Sequence, residues 1–161
     1  MTPEIIDAAA HLLDDLRARR MTVATAESCT GGLIAAALTA IAGSSDVVDR
    51  GFVTYSNAAK AEMLGVDAGL IAQFGAVSEP VAAAMASGAL QRAPVDAAVS
   101  VTGVAGPGGG SVDKPVGTVW FGLAIRGRQG WTERQVFPGD RTEVRHATVL
   151  HAFRLFRLAL D

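Results

Sequence analysis

Three short segments gather residue types suited to group transfer: AESCTGG (Ala26 to Gly32), TYSNAAK (Thr54 to Lys60) and TGVAGPGGGS (Thr102 to Ser111). Ser28 stands between a short apolar run and the start of a helical pattern, where free backbone N–H groups and a positive dipole end suit an oxyanion or a phosphate. A serine there is a candidate nucleophile or a plain helix cap, and position alone leaves both open. Cys29 is a rival nucleophile, but no histidine lies near it in sequence and packing is its plainer role. Thr30 can cap the same helix, with Gly31 and Gly32 letting its first turn approach a ligand.

Lys60 and Lys114 are the only lysines. Lys60 falls in the first turn of a short helix, a poor place for a cation, so either it is a solubilising surface charge or something else keeps it there. Burial and positive surroundings would lower its pKa and leave a neutral amine to act as a base. Tyr55, the only tyrosine, offers a hydroxyl that relays a proton or orients Ser28, or is a core aromatic with a wet tip. Thr102 begins the third segment, and Gly103, Gly106, Gly108 and Gly109 follow. Ordering such a loop is costly unless a ligand needs its backbone close, the alternative being a surface excursion. It is neither a P-loop, lacking G-K-[ST], nor a dinucleotide fingerprint, since it leads through Asp113 and Lys114 into a strand. Arg141 can grip a phosphate or carboxylate, or pair with an acid. No metal site is expected: His11, His146 and His151 lie on helical patterns, and no HExxH occurs.

The elements that must position these groups alternate. Pro3 opens a helix carrying Ile5, Ile6, Ala9, Leu12, Leu13 and Leu16 that ends near Arg20. A strand follows over residues 22 to 26, then a helix from about Gly31 to Ile41 that Gly43 stops. Next come a strand at 51 to 56, a helix capped by Ser56, a helix capped by Ser78 and running to Gln91, and a strand at 97 to 101. Residues 116 to 125 and 131 to 137 read as a hairpin, and Asp140 with Glu143 forms a capping box for the last helix. The pattern predicts one domain over 1–161, a three-layer α/β/α sandwich on a mixed five-stranded sheet. Ligands in such folds bind beyond the carboxyl ends of the parallel strands, where all three segments fall. A crossover between neighbouring strands can therefore bring Ser28 and Lys60 to one cleft.

Composition narrows the function. Half of the 161 residues are hydrophobic and 19% are charged, which excludes disorder as the main state. A net charge of −2 gives no attraction for nucleic acid. One cysteine points to a reducing compartment, hence a cytoplasmic location. The acidic first twenty residues do not read as a signal peptide, and no stretch reads as a membrane span. Leu150, Leu155 and Leu158, off the main stripe of the last helix, suggest apolar surface for a second subunit.

Seven strings in order, AESCTGG, GSS (Gly43 to Ser45), GFVTYSN with Lys60, GAVSEP (Gly75 to Pro80), TGVAGPGGGS, KPVGTV (Lys114 to Val119) and FPGDR (Phe137 to Arg141), together resemble the CinA C-terminal domain family from about residue 4 to 158. The characterised activity of that family is hydrolysis of the carboxamide of nicotinamide mononucleotide to nicotinate mononucleotide and ammonia, in pyridine nucleotide salvage. The resemblance implies Ser28 as nucleophile, Lys60 as its base and Tyr55 beside them. It further implies that Thr102 and the glycines after it line the pocket and that Arg141 helps bind substrate. A sheet with its fourth strand antiparallel, a homodimer or multiple of dimers, and no cofactor are also implied. A noncatalytic nucleotide-binding module and a phosphoesterase are the alternatives.

Overall fold

The elements grow from local sequence chemistry. Thr2 Oγ1 accepts a hydrogen bond from the Ile5 N–H (3.3 Å) and Pro3 supplies the first residue of α1 (Pro3–Ala18). Ile5, Ala9, Leu12, Leu13 and Leu16 form its buried stripe. β1 (Val23–Glu27) is buried at every position, as a strand covered on both faces must be. Then follow α2 (Leu33–Thr39), a single 3-10 turn (Ser44–Asp46), β2 (Val48–Val53), α3 (Asn57–Leu64), α4 (Ala68–Phe74), α5 (Glu79–Arg92) and β3 (Ala97–Gly103). The hairpin strands β4 (Thr118–Ile125) and β5 (Trp131–Val136) lead into α6 (Arg141–Leu158). This computed structural model describes residues 1–161.

The sheet order is β2-β1-β3-β4-β5. β1 pairs in parallel with β2 and β3, while β4 runs antiparallel to β3 and β5. The expected three-layer α/β/α sandwich with one antiparallel strand is therefore the architecture of this chain. A core of 27 buried residues lies on the side of α1, α2 and α6, and one of 11 on the side of α3, α4 and α5, so the second face relies on small residues and close approach. No helix is long and apolar enough to cross a membrane.

Several local expectations change. The second strand occupies Val48–Val53 rather than 51 to 56, because it is an edge strand whose residues 49 to 51 are exposed and show no apolar alternation. Tyr55 is thereby left in the loop after it. α4 has no counterpart among the expected elements, although Asp67 caps it by accepting from the Gly69 N–H at 3.0 Å. Ser78 precedes α5 without capping it, since its hydroxyl donates backwards to the Gly75 carbonyl at 2.8 Å. Asp140 and Glu143 do form the capping box of α6. Leu155 is buried in the core and Leu150 packs against it, which leaves Leu158 as the exposed leucine of that trio.

Candidate active site

Parallel pairing places the loop after β1 between those after β2 and β3. The Thr54 N–H donates to the Glu27 carbonyl (2.8 Å) and the Ser28 N–H to the Val101 carbonyl (3.0 Å), so the ladders continue one step past the strand on both sides. That step brings Lys60, thirty-two residues on, to Ser28. Its Nζ donates to Ser28 Oγ and to the Thr54 carbonyl, both at 3.0 Å. Both side chains are buried, Lys60 to 1% exposure. Desolvation holds the Lys60 ammonium below the ordinary lysine range, with no carboxylate hydrogen-bonded to it in compensation.

Glu27 was overlooked in the sequence. It is fully buried, and its carboxylate takes five donors: the Thr25 and Thr30 hydroxyls and the N–H groups of Gly32, Ile34 and Ala35, at 2.6 to 3.2 Å. Glu27 caps α2, and Thr30 supports Glu27 instead of capping the helix itself. The sequence marks it only as a lone acid ending an apolar strand just before a helix, with no periodic pattern to single it out. Because those N–H groups are occupied, the start of α2 is closed to a phosphate. The N–H groups of Cys29 and Thr30 make no hydrogen bond. Of the two, Cys29 borders the same cleft as Ser28 and Thr30 does not, so the Cys29 N–H is the donor left for an oxyanion beside Ser28. Arg145 braces the same turn by donating to the Thr30 carbonyl at 2.8 Å.

Ser28, Lys60, Tyr55, Thr102, Gly103 and Arg141 line one cleft of about 220 Å³, together with Cys29, Asn57, Ala76, Val77 and Ala105. Larger hollows exist, one of about 520 Å³ between the ends of α1 and α6, but none holds a paired nucleophile and base. At the rim, Arg141 donates to the Tyr55 hydroxyl (3.1 Å) and to the Gly106 carbonyl (3.0 Å). Tyr55 is 62% exposed and makes no hydrogen bond to Ser28. Gly103 is demanded by packing, since a Cβ there would lie 2.7 Å from the Thr118 carbonyl oxygen. Thr30, Gly31, Gly32, Gly106, Gly108 and Gly109 do not line this cleft. Thr30 is fully buried, and Gly106 contributes by anchoring Arg141.

Cys29 is unsuited to nucleophilic attack, because burial pushes its thiol up to about 12. His151 is nearly buried against Phe121 and Phe137, and desolvation lowers its pKa although Glu133 lies 3.2 Å away. No three histidine, cysteine, aspartate or glutamate side chains converge to hold a metal ion.

Residues 6–160 match the CinA C-terminal domain. The chain belongs to that family. It superposes on the crystal structure of the competence/damage inducible protein CihA from Agrobacterium tumefaciens with a TM-score of 0.97 and 48% identity, covering 100% of this chain and 98% of that one. It is 57% identical over 139 residues to the nicotinamide-nucleotide amidohydrolase PncC of Escherichia coli K12, covering 86% of this chain and 84% of that protein. A CinA-like protein of Mycolicibacterium vanbaalenii is 54% identical over 160 residues, and this chain spans only 38% of its length. The CinA module thus occurs both near this length and within longer proteins.

Proposed function

We propose that this chain hydrolyses the carboxamide of nicotinamide mononucleotide, giving nicotinate mononucleotide and ammonia. The observation that carries this reading is the buried Lys60 Nζ at 3.0 Å from Ser28 Oγ, in one cleft with the free donors of Arg141. Likeness over most of its length to a nicotinamide-nucleotide amidohydrolase supports the substrate.

Ser28 Oγ attacks the carboxamide carbon while its proton passes to neutral Lys60 Nζ. The Cys29 N–H group receives the oxyanion. As the C–N bond breaks, Lys60 returns the proton to nitrogen and ammonia leaves, with the nicotinyl group held as an ester on Ser28. Water then attacks that ester, Lys60 takes its proton, and Ser28 is released with a proton restored to Oγ. Arg141 keeps two of its five N–H donors on Gly106 and Tyr55, and the remainder suit the 5'-phosphate. The starts of α2 and α6 are already capped by Glu27 and Asp140, which makes them poor alternatives for that role.

We further place the reaction in the cytoplasm of a cell, in a homodimer. Exposed Val53 and Tyr55, at and just beyond the end of edge strand β2, and Leu158 on α6 supply apolar surface for a partner. Light scattering across a dilution series checks the assembly, and a monomer throughout removes it. The function is tested by ammonia release from nicotinamide mononucleotide in metal-free buffer. Release of ammonia is expected. Binding without release indicates a noncatalytic module, and release of inorganic phosphate instead indicates a phosphoesterase.

A further inference from the structure

One wall of the cleft is the segment of residues 74–78, which leads from the end of α4 to α5 and contributes Ala76 and Val77 to the lining. Its three consecutive carbonyls are each taken by a side chain. Phe74 O accepts from Lys114 Nζ at 2.9 Å, Gly75 O from Ser78 Oγ at 2.8 Å, and Ala76 O from Thr102 Oγ1 at 2.8 Å. The donors come from three places: the far end of the glycine loop, the entry to α5 and the end of β3. By contrast, the N–H groups of Ala76, Val77 and Ser78 make no hydrogen bond.

We infer that Lys114, Ser78 and Thr102 are positioning residues that hold this wall in the shape required by the substrate's pyridine ring and its carboxamide. The inference rests on the function proposed above. A segment whose carbonyls are tied back presents free N–H donors and short apolar side chains to whatever fills the cleft. Together with Ala105 in the same lining, Ala76 and Val77 suit a flat ring bearing a hydrogen-bond acceptor. Gly75 is part of the device: its φ is +79°, and a Cβ would come within 3.0 Å of Lys114 Nζ. A compact ammonium fits that space where a planar guanidinium is broader, which accounts for a lysine in a chain that otherwise uses arginine away from Lys60. Thr102 acquires a different role from direct substrate contact, because its hydroxyl proton is directed at the Ala76 carbonyl.

Lys114 does not line the cleft, so an effect of its loss on substrate binding must travel through the wall. Lys114→Met and Thr102→Val should each raise KM for nicotinamide mononucleotide by about five- to twentyfold with kcat within about threefold, and the double variant should fall short of the product of the two. The Ala76 and Val77 amide resonances should shift in both variants in the absence of any ligand, in spectra that otherwise report an intact fold. An effect of Thr102→Val on KM that Lys114→Met does not share would mean direct contact by Thr102 and overturn the inference. Loss of kcat at constant KM in Lys114→Met would also overturn it, by placing Lys114 in the chemical step. Should the wild type release no ammonia from the mononucleotide, the substrate assignment falls, and the amide resonances alone decide the wall: if they are unchanged in Lys114→Met, the wall is not held by Lys114.

Discussion

The floor and the rim of the cleft are built on opposite terms. On the floor, Ser28, Lys60 and Glu27 are buried, and their contacts exist before any ligand arrives. At the rim, Arg141 and Tyr55 are exposed and hold each other through one hydrogen bond of 3.1 Å. The difference follows from what each must do. A base that works near neutral pH has to be desolvated in advance, and only a folded core can keep a lysine out of water. An anion contact can form when the ligand comes, and an exposed guanidinium remains charged and adaptable.

This contrast predicts large effects on kcat from the floor and smaller ones, confined to charged substrates, from the rim. Ser28→Ala should lower kcat by about three orders of magnitude or more while changing stability by no more than about 2 kcal/mol. Retention of a tenth of wild-type turnover, measured by ammonia release, would remove Ser28 as nucleophile.

Lys60→Met should lower kcat by about a hundred- to a thousandfold with little change in KM, and abolish the ascending limb of the pH–rate profile, since the neutral amine is the active form. Its stability effect has the opposite sign. The folded-state pKa of Lys60 lies below the unfolded value, so below the folded pKa the buried charge is a full penalty, and stability rises with pH from the folded pKa up to about 10.4. At neutral pH the Met variant should therefore melt no lower than the wild type. A lower melting temperature would show that the two hydrogen bonds of Lys60 outweigh its desolvation.

Glu27→Gln tests whether the floor is preorganised from behind. Its amide nitrogen would face donors, leaving buried N–H groups unpaired at about 1–3 kcal/mol each. Chemical denaturation should show that loss, with kcat lowered about ten- to a hundredfold through the Ser28–Thr30 turn. Full activity in the destabilised variant would separate the cap from catalysis.

The smallest effect belongs to the rim. Arg141→Ala should reduce kcat/KM for the mononucleotide by about tenfold, at most a hundredfold, and change slow turnover of nicotinamide riboside much less. Equal losses on both substrates would move phosphate binding away from Arg141 and narrow the distinction between floor and rim.

Much of this is legible in the sequence. The alternation of strands and helices, the hairpin and the Asp140–Glu143 box are local patterns within one turn or one strand, so the layered fold followed from them. Ser28 and Lys60 were readable as partners because parallel neighbouring strands deliver their following loops to one edge. Glu27 was not, because a carboxylate at the end of an apolar strand has no periodic signature, and its five donors come from both sides of it along the chain.

By itself, the sequence determined which residue types stand at the carboxyl edge of the sheet and the order in which the chain visits that edge. Only the tertiary structure decided which of them are dry. Burial separates Lys60 from the solubilising surface charge that a lysine in a first helical turn suggests, renders Cys29 inert, and turns Thr30 from a ligand contact into a support for Glu27. It also moved Tyr55 to the rim, since the end of β2 depends on pairing with β1 and not on the alternation of its own residues. Desolvation and ladder pairing are set by neighbours distant in the chain, and no local pattern encodes them.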